Sequence, residues 1–310
     1  YYGSGLHNKP GRDNPKFEIE NQPAGKASGL QSFYNLTWDQ VHQVNGDCMH
    51  DSGYMGQGML IALLDAGYLE ANTHFVLDSL RQSGRLLDTF DFVLHYDFVY
   101  TGSYHGAPCL STIAGYIPDS FVGTAPLAQF ALYRTQDDFS EQAIEMDNLV
   151  SGAERADSLG ADVISVSLGY STFDAPANVG NDLAYADLDG VSTIAVRGAN
   201  IATKKGIVFV NAAGNQGGNA WHYLMTPSDG DSVICVGAVD GSGNPAGFSS
   251  YGPNAAGVIK PDVSAKGVGT SILTPGNNLG TGNGTSFATP QMSGWAACLL
   301  QAAPGVKPWL

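Results

Sequence analysis

The chain has 310 residues, of which 43% are hydrophobic and 14% are charged, and this composition is typical of a compact globular protein rather than a disordered or fibrous chain. Its formal charge of −15 would repel phosphate backbones, so nucleic-acid binding is not expected. No apolar run approaches the roughly 18 residues that span a bilayer, and the N-terminus lacks the pattern of a signal peptide, which predicts a mature, soluble chain without a membrane span.

The first 45 residues are polar and rich in Gly, Asn, Pro and Gln, without a sustained period. They are predicted to form an N-terminal arm that packs on the core, and residues 46–310 are predicted to form one large domain. Short apolar runs begin at Met59 and have the length of strands buried on both faces. These runs are MLIALLD, AQFALYRT, ADVISVSL, GIVFVNAAG and SVICVGAV.

Helical patterns lie between several of these runs. Residues 141–159 are predicted to form a helix with Ser140 as its N-cap and Gly160 as its stop, and residues 193–205 a second helix preceded by Ser192. The polar segment 171–190 is interpreted as a surface loop.

The alternation of strands and helices predicts the fold class. It is an α/β fold, three-layered and doubly wound, with a mainly parallel sheet and helices on both faces. Functional sites in such folds lie at the carboxyl ends of the strands. Three candidate segments fall on that edge, and they contain Asp65, Ser167 and Asn215.

Four cysteines, Cys48, Cys109, Cys235 and Cys298, lack the paired spacing of metal-binding or redox sites, so no zinc site is expected. Cys235 and Cys298 lie in apolar runs, where a small buried side chain is favoured over a disulfide. The cysteines leave the redox compartment undecided.

Four segments carry residues suited to nucleophilic catalysis. Asp65 ends the predicted strand in IALLDAG, His105 opens HGAPCLSTIAG, Asn215 ends IVFVNAAGN, and Ser286 lies in GTSFATP at a helix start. A serine becomes a useful nucleophile when a histidine takes its proton, and a buried carboxylate usually orients that histidine. The Asn215 amide and the Ser286 backbone N–H are suited to stabilise an oxyanion. Each residue alone has a structural explanation, but the ordered set predicts a serine hydrolase.

The order Asp, His, Ser and the surrounding motifs resemble the subtilisin-like serine peptidases, the subtilases. The resemblance runs from about Gly56 to Ala303 and includes VGTAPLAQFALYRT, SVSLGY, SVICVGAV, FSSYGP and IKPDVSAKG. It implies endopeptidase chemistry through an acyl-enzyme. Asp65, His105 and Ser286 would form the triad, and Asn215 would assist the oxyanion hole. Two alternatives stay open: a transpeptidase or peptide cyclase with the same triad, and an inert subtilase-like binding protein.

The resemblance also implies how a substrate binds. An extended peptide or protein segment would add as a strand along Ser167, Leu168 and Gly169, and the opposite wall of the first specificity pocket would be formed by Ala212, Ala213 and Gly214. Leu224 or Met225 is a candidate floor for this pocket, and Met225 as a plain core residue is equally favoured.

Two segments depart from the family pattern near the site. Ala107-Pro108-Cys109 replaces the usual residues after the histidine's glycine, and Cys109, one helical turn after His105, resembles the thiol-containing branch of subtilases. We expect Cys109 to be a free thiol beneath His105 and not a nucleophile. The segment 135–142 offers Asp137, Asp138 and Glu141, which indicate either a solvated acidic loop or a preference for basic substrate residues upstream of the cut.

Only 24 residues follow Ser286, fewer than is usual in the family, and the usual inhibitory propeptide is not present, so a truncated or processed chain is expected. The chemistry requires no cofactor. The family often binds structural calcium, but no stretch is dense enough in ligands to name residues, so no metal residue is assigned. A secreted or cell-surface location is expected from the resemblance alone.

Overall fold

The computed structural model describes residues 30–174 and 182–306. Parts of the predicted N-terminal arm and of the 171–190 loop therefore lie outside the described residues. The helices in the described part are α1 (Leu30–Tyr34), α2 (Trp38–His42), α3 (Gly46–Asp51), α4 (Asp78–Gln82), α5 (Gly106–Ala114), α6 (Ile144–Leu159), α7 (Ile194–Lys204) and α8 (Thr285–Ala302). The strands are β1 (Leu60–Asp65), β2 (Leu86–Asp91), β3 (Tyr116–Ile117), β4 (Phe121–Val122), β5 (Gln129–Arg134), β6 (Val163–Val166), β7 (Val208–Ala212), β8 (Ile234–Val239), β9 (Val263–Lys266), β10 (Thr270–Thr274) and β11 (Asn278–Gly282).

The central sheet has seven strands in the order β2-β5-β1-β6-β7-β8-β9, and every neighbouring pair is parallel. Two small antiparallel pairs, β3 with β4 and β10 with β11, lie apart from it. The predicted α/β fold with a mainly parallel sheet is confirmed. Its carboxyl edge brings the ends of β1, β6 and β7 side by side, because these strands are neighbours in the sheet.

The inner strands of the central sheet are buried on both faces, as β1 shows, whereas the edge strands β2 and β9 are partly exposed. All six residues of β1 are buried. Ile61 and Leu63 pack in one core, whereas Ala62 and Leu64 pack in the core on the opposite face. This follows from the period of two in a strand, and it explains why the sequence of β1 is a continuous apolar run rather than an alternating one.

The two cores are covered by different helices. One core contains side chains from α5 and α8 and also buries Tyr34 and Val41, which belong to residues predicted as part of the arm. The other core is covered by α6 and α7, through residues such as Leu149 and Ala199. Helices on both faces complete the three layers expected of a doubly wound sheet.

The two predicted helices begin later than expected. Helix α6 starts at Ile144 instead of residue 141, although Gly160 ends it in the left-handed conformation as predicted. Helix α7 is capped by Thr193, whose Oγ1 accepts a hydrogen bond from the Val196 N–H at 3.2 Å. Ser192 does not cap it, because its hydroxyl donates to Asp189 instead.

The longest helix of the described part, α8, packs against β6, β7 and β8 and against α5. It carries buried polar residues, among them Gln291 and Ser293. The Ser293 hydroxyl lies 2.8 Å from that of Ser165 on β6, so its burial is satisfied by a hydrogen bond. Among the helices of the described ranges, none has both the length and the apolar character that crossing a membrane requires.

Candidate active site

Asp65 is the last residue of β1, at the carboxyl edge of the sheet, and is only 1% exposed. Its Oδ1 accepts two hydrogen bonds, from the Ala66 N–H at 2.8 Å and from Nδ1 of His105, also at 2.8 Å. A buried carboxylate is stable when such donors satisfy it. The bond to His105 fixes the imidazole ring and leaves Nε2 as the nitrogen available to accept a proton.

A close backbone contact brings the histidine helix to Asp65. Helix α5 begins at Gly106, whose N–H donates to the carbonyl of Gly67 at 3.0 Å. A Cβ at position 106 would lie 2.5 Å from that carbonyl oxygen, which explains the glycine. Pro108 is the third residue of α5, where its missing N–H costs no helical hydrogen bond, so this departure from the family pattern is accommodated.

The pKa of His105 is set by two opposing effects. Burial is the largest single effect and would lower the pKa, but the interactions of the ring with Asp65, and to a lesser extent with Cys109, together favour the imidazolium more strongly. The net effect holds the pKa of His105 well above its ordinary value. A raised pKa makes the histidine a stronger base once it is neutral.

Ser286 lies in the first turn of α8 and is 8% exposed. Its hydroxyl donates to the backbone carbonyl of Ser167 at 3.2 Å. Proton transfer to His105 therefore requires the hydroxyl to turn away from this acceptor. Apo sites often show such loose or alternative hydrogen bonds, which tighten when substrate binds.

The carbonyl of Ser286 is held by an unusual pair of donors. In a regular helix it would accept from the N–H of residue 290, but Pro290 has no N–H to donate. The hydroxyl of Ser167 donates to it instead at 2.9 Å, and the thiol of Cys109 at 3.3 Å. The thiol also lies 3.9 Å from Nδ1 of His105, so Cys109 connects the histidine with the serine helix.

Asn215 follows β7 on the same edge of the sheet. Its Oδ1 accepts from the backbone N–H of Thr285 at 2.9 Å and from the Thr285 hydroxyl at 3.0 Å. Because both donors hold the oxygen, the Nδ2 group of the same amide points the opposite way as a hydrogen-bond donor. Thr285 thus orients Asn215, and it was not among the residues singled out from the sequence.

A cavity of about 220 Å³ opens beside Ser286. Of the residues predicted to bind substrate, Ser167, Leu168, Gly169, Ala212 and Gly214 line it, together with Asn215.

Ala213, also predicted as pocket wall, is fully buried and packs with Leu224 and Cys235. Met225 lines the cavity, so of the two floor candidates it is Met225 that faces this space. A Cβ at Gly169 would lie 2.7 Å from Met225 Cβ, which shows how closely the methionine packs against that wall.

The acidic segment after β5 does not present all its carboxylates to solvent. Asp137 accepts from Nη2 of Arg134 at 3.1 Å, while Asp138 is exposed. Glu141 accepts from Nε2 of Gln136 at 2.9 Å. Gln136, which the sequence analysis did not single out, also lines the cavity.

In the described ranges, one group of three side chains is placed closely enough to hold a metal ion. It consists of Asp65, His105 and Cys109, whose ligand atoms lie within 4.8 Å of one another. The same atoms already form the hydrogen bonds of the site. A metal ion bound there would occupy the histidine nitrogen that Asp65 holds, so this group is better suited to proton transfer than to metal binding.

The chain is similar to known proteins over most of its length. A family model described as the subtilase family matches residues 56–309. Subtilisin DY of Bacillus licheniformis is 30% identical over 263 residues, which cover 84% of this chain and 83% of that protein. Subtilisin NAT of Bacillus subtilis subsp. natto is 31% identical over 268 residues, 85% of this chain but 61% of that protein.

Two solved structures share the fold. The structure of the prenylagaramide maturation protease PagA has a TM-score of 0.65 at 25% identity and covers 85% of this chain and 83% of its own. A cold-adapted subtilisin-like serine proteinase has a TM-score of 0.62 at 24% identity and covers 82% of this chain and 80% of its own.

Proposed function

Because the chain belongs to the subtilase family, we propose that it is a serine endopeptidase that cleaves peptide bonds through an acyl-enzyme. The observation that carries the proposal is the 2.8 Å hydrogen bond between buried Asp65 and His105, at the edge of the sheet where Ser286 lies in the first turn of α8. In this proposal Ser286 is the nucleophile, His105 the general base and Asp65 the group that orients the base.

The proposed reaction has two steps. The Ser286 hydroxyl attacks the carbonyl carbon of the scissile bond while Nε2 of His105 takes the proton, and the imidazolium then gives this proton to the leaving amine. Water then attacks the acyl carbon while His105 takes its proton, and the imidazolium returns this proton to the Ser286 oxygen as it leaves. Asp65 stabilises the imidazolium in both steps without becoming protonated.

Asn215 is proposed to stabilise the oxyanion with its Nδ2 group, alongside the backbone N–H of Ser286. Asn215→Leu, which removes this donor while retaining bulk, is expected to lower turnover by ~10²–10³-fold with a smaller effect on KM, because the bond forms mainly in the transition state. The magnitude is borrowed from the corresponding experiment on subtilisin. Steady-state kinetics with a peptide amide substrate measure it, and an equal loss expressed only in KM would contradict the role.

Thr285→Val serves as the matched variant, because it removes the hydroxyl that orients Asn215 but keeps the backbone donor. We expect an intermediate loss in turnover for this variant, smaller than that of Asn215→Leu.

The substrate is proposed to be an extended peptide or protein segment that adds as a strand along Ser167, Leu168 and Gly169. The side chain before the scissile bond would enter the cavity between Gly169 and Gly214, with Met225 at its end. The proposed chemistry needs no cofactor, and structural calcium stays an expectation without assigned residues. An inhibitory propeptide and action outside the cell are proposed because the relatives are subtilisins.

The same triad could pass the acyl group to an amine instead of water, as in a transpeptidase or peptide cyclase. The likeness to the maturation protease PagA keeps this second reaction under consideration. Mass spectrometry of the products decides between them: hydrolysis gives two fragments that together exceed the substrate by one water, whereas aminolysis or cyclisation adds no water to the acyl fragment. We expect hydrolysis.

A prediction concerns Cys109, which is 1% exposed and contacts both the serine helix and His105. Burial raises the pKa of its thiol, so it is protonated and a weak nucleophile at neutral pH. A bulky mercurial bound to Cys109 is expected to abolish activity by displacing His105 and the Ser286 carbonyl. Activity and mercury stoichiometry are measured together.

Cys48 is a free, exposed thiol that is expected to bind mercurials as well, so the experiment uses Cys48→Ala as its background. Adding Cys109→Ala to this background should protect the enzyme from inhibition. Full activity in a protein whose Cys109 is shown by peptide mass mapping to carry mercury would contradict the prediction.

A further inference from the structure

A buried arginine at the carboxyl edge of the sheet contacts the turn that carries the aspartate of the proposed triad. Arg134 is the last residue of β5, and it pairs in register with Asp65 at the end of β1 and with Asp91 at the end of β2. Its side chain is only 3% exposed. A charged group is buried in this way when acceptors satisfy its donors, so the partners of the guanidinium show what Arg134 holds in place.

The guanidinium donates to three separate parts of the chain. Its Nη1 donates to Oδ2 of Asp91 at 3.0 Å, its Nη2 to Oδ1 of Asp137 at 3.1 Å, and its Nε to the backbone carbonyl of Ala66 at 3.0 Å. Asp91 is itself anchored, because its other oxygen accepts two backbone N–H groups of its own loop. The donors of a guanidinium have a fixed planar geometry, so the two carboxylates hold Nε opposite the Ala66 carbonyl.

Ala66 connects this guanidinium with both Asp65 and His105. Its N–H donates to Oδ1 of Asp65 at 2.8 Å, and its carbonyl accepts from the Ser103 N–H at 3.2 Å as well as from Arg134. The Ser103 hydroxyl in turn accepts from the backbone N–H of His105 at 3.2 Å. The carbonyl that Arg134 holds therefore belongs to the turn against which the Asp65 carboxylate and the loop before His105 are both placed.

A glycine leaves room for the contact between Arg134 and Ala66. A Cβ at Gly102 would lie 2.6 Å from Nε of Arg134 and 2.8 Å from the Ala66 carbonyl oxygen. Gly102 also has a φ of 66°, in the left-handed region that favours glycine. Any side chain at this position would enter the space between the guanidinium and the turn.

Stability alone is a weak reason for burying such a group. The cost of desolvating two charges offsets most of their attraction, so apolar side chains of similar size stabilise a fold about as well as a buried ion pair. The geometric effect is specific to the guanidinium, because it fixes a backbone turn beside the catalytic groups. Proton transfer is sensitive to such placement, and a displacement of about 1 Å can lower the rate by about 10²-fold.

Resting on the proposed peptidase function, we propose that Arg134 is a positioning residue for the proposed triad: it holds the turn at Ala66 so that the Asp65 carboxylate stays in hydrogen-bond contact with Nδ1 of His105. Arg134 is not among the residues that line the cavity beside Ser286, so it acts through Asp65 rather than on the substrate.

The test variant is Arg134→Lys. Lysine has a methylene group where arginine has Nε, so the variant removes the donor to the Ala66 carbonyl, while its ammonium group keeps a positive charge for Asp91. We expect kcat to fall by about tenfold or more and KM to change by less than about threefold, because the substrate groove is untouched.

A second measurement follows the hydrogen bond between Asp65 and His105 directly. The Nδ1 proton of a histidine bound to a carboxylate resonates far downfield in ¹H NMR, and a weaker bond moves it upfield. We expect this upfield shift in Arg134→Lys. If Arg134 only stabilises the fold, thermal unfolding begins earlier but the resonance and kcat of the folded protein stay unchanged, and this result would overturn the proposal. A fall in kcat with an unmoved resonance would overturn it as well.

The matched control is Arg155→Lys, which makes the same chemical change elsewhere. Nε of Arg155 donates to Asp88 at 2.7 Å, and Asp88 lies within β2 rather than at its carboxyl end. This variant should retain both kcat and the position of the resonance. Losses as large as those of Arg134→Lys would show a general effect of removing a guanidinium and would count against the positioning role.

A second pair of variants keeps every charge and covers the case in which Arg134→Lys does not fold. Gly102→Ala places a methyl group between Arg134 and Ala66, whereas Gly84→Ala has nearly the same backbone strain, with a φ of 67°, but no atom within 4 Å of the new Cβ. We expect Gly102→Ala to lower kcat and shift the resonance, and Gly84→Ala to do neither. Equal behaviour of the two alanine variants would overturn the proposal.

The NMR measurement needs no substrate, so it separates the role of Arg134 from the peptidase function. A resonance that shifts in Arg134→Lys supports the positioning role even if the wild type hydrolyses no peptide, a result that would contradict the peptidase function alone. Normal hydrolysis by a variant with an unmoved resonance overturns the role of Arg134 and leaves the peptidase function in place.

Discussion

Ser286→Ala is expected to abolish peptide hydrolysis and covalent labelling by a fluorophosphonate, with a loss of turnover on the order of 10⁶-fold. That magnitude is the one found for the nucleophile of subtilisin and is borrowed from it. The physical reason is that alanine leaves no atom to form the acyl-enzyme, so only binding and the oxyanion donors remain to accelerate attack by water. Labelling followed by peptide mapping measures the effect and identifies the modified residue.

The matched control is Ser242→Ala, which removes a hydroxyl from an exposed loop and should label like the wild type. Because Ser286 is buried, both variants are first compared by thermal unfolding, where loss of one hydroxyl should change stability by only about 1 kcal/mol. A folded wild-type protein that shows no Ser286-dependent label would contradict the peptidase and favour the inert binding protein instead.

The parts of the fold that were predicted correctly depend on strong and local patterns. The runs around β1, β5, β6, β7 and β8 are mainly apolar because both faces of the sheet are covered there, and such runs identify buried strands without knowledge of the rest of the chain. The starts of α6 and α7 were predicted wrongly because Ser140 and Ser192 are good caps by residue type. Which of several neighbouring polar residues caps a helix is decided by tertiary contacts, such as the bond from Ser192 to Asp189.

In the candidate site, too, some features could be predicted from local sequence patterns and others could not. The sequence motifs predicted Asp65, His105, Asn215 and Ser286 as site residues, and the structure brings Asp65 and His105 into hydrogen-bond contact. The contacts that support them could not be predicted, because they join residues far apart in the chain. Cys109 donates to the Ser286 carbonyl across 177 positions, a bond that depends on the missing N–H of Pro290.

The pocket walls show a further limit of sequence reasoning. Ala212, Ala213 and Gly214 are consecutive small residues and all three were predicted to line the pocket. The structure turns Ala213 into the core with Leu224, while its two neighbours face the cavity. Alternation of side chains at the end of a strand explains this result, but it requires knowing which face of the strand the cavity occupies.

Asp65→Asn is expected to lower kcat by ~10⁴-fold at neutral pH while leaving KM nearly unchanged, by analogy with the same substitution in a serine protease of another fold. The asparagine amide can donate to Nδ1 of His105. That bond favours the tautomer whose proton is on Nε2, which cannot accept a proton from Ser286. Kinetics with a peptide substrate measure the loss, and Asp138→Asn is the control for removal of one carboxylate near the groove.

The same substitution should also move the pH dependence of the remaining activity. In the wild type the pKa of His105 is raised because Asp65 and Cys109 together outweigh the effect of burial, with Asp65 the larger of the two. Only the neutral histidine is a base, so activity rises with pH through this raised pKa. Without the carboxylate, burial remains and the support for the cation is lost. The pKa of His105 falls, and the acidic limb of the kcat/KM profile should shift to lower pH. A loss of rate with an unmoved acidic limb would show that Asp65 acts on the position of the ring but not on its charge.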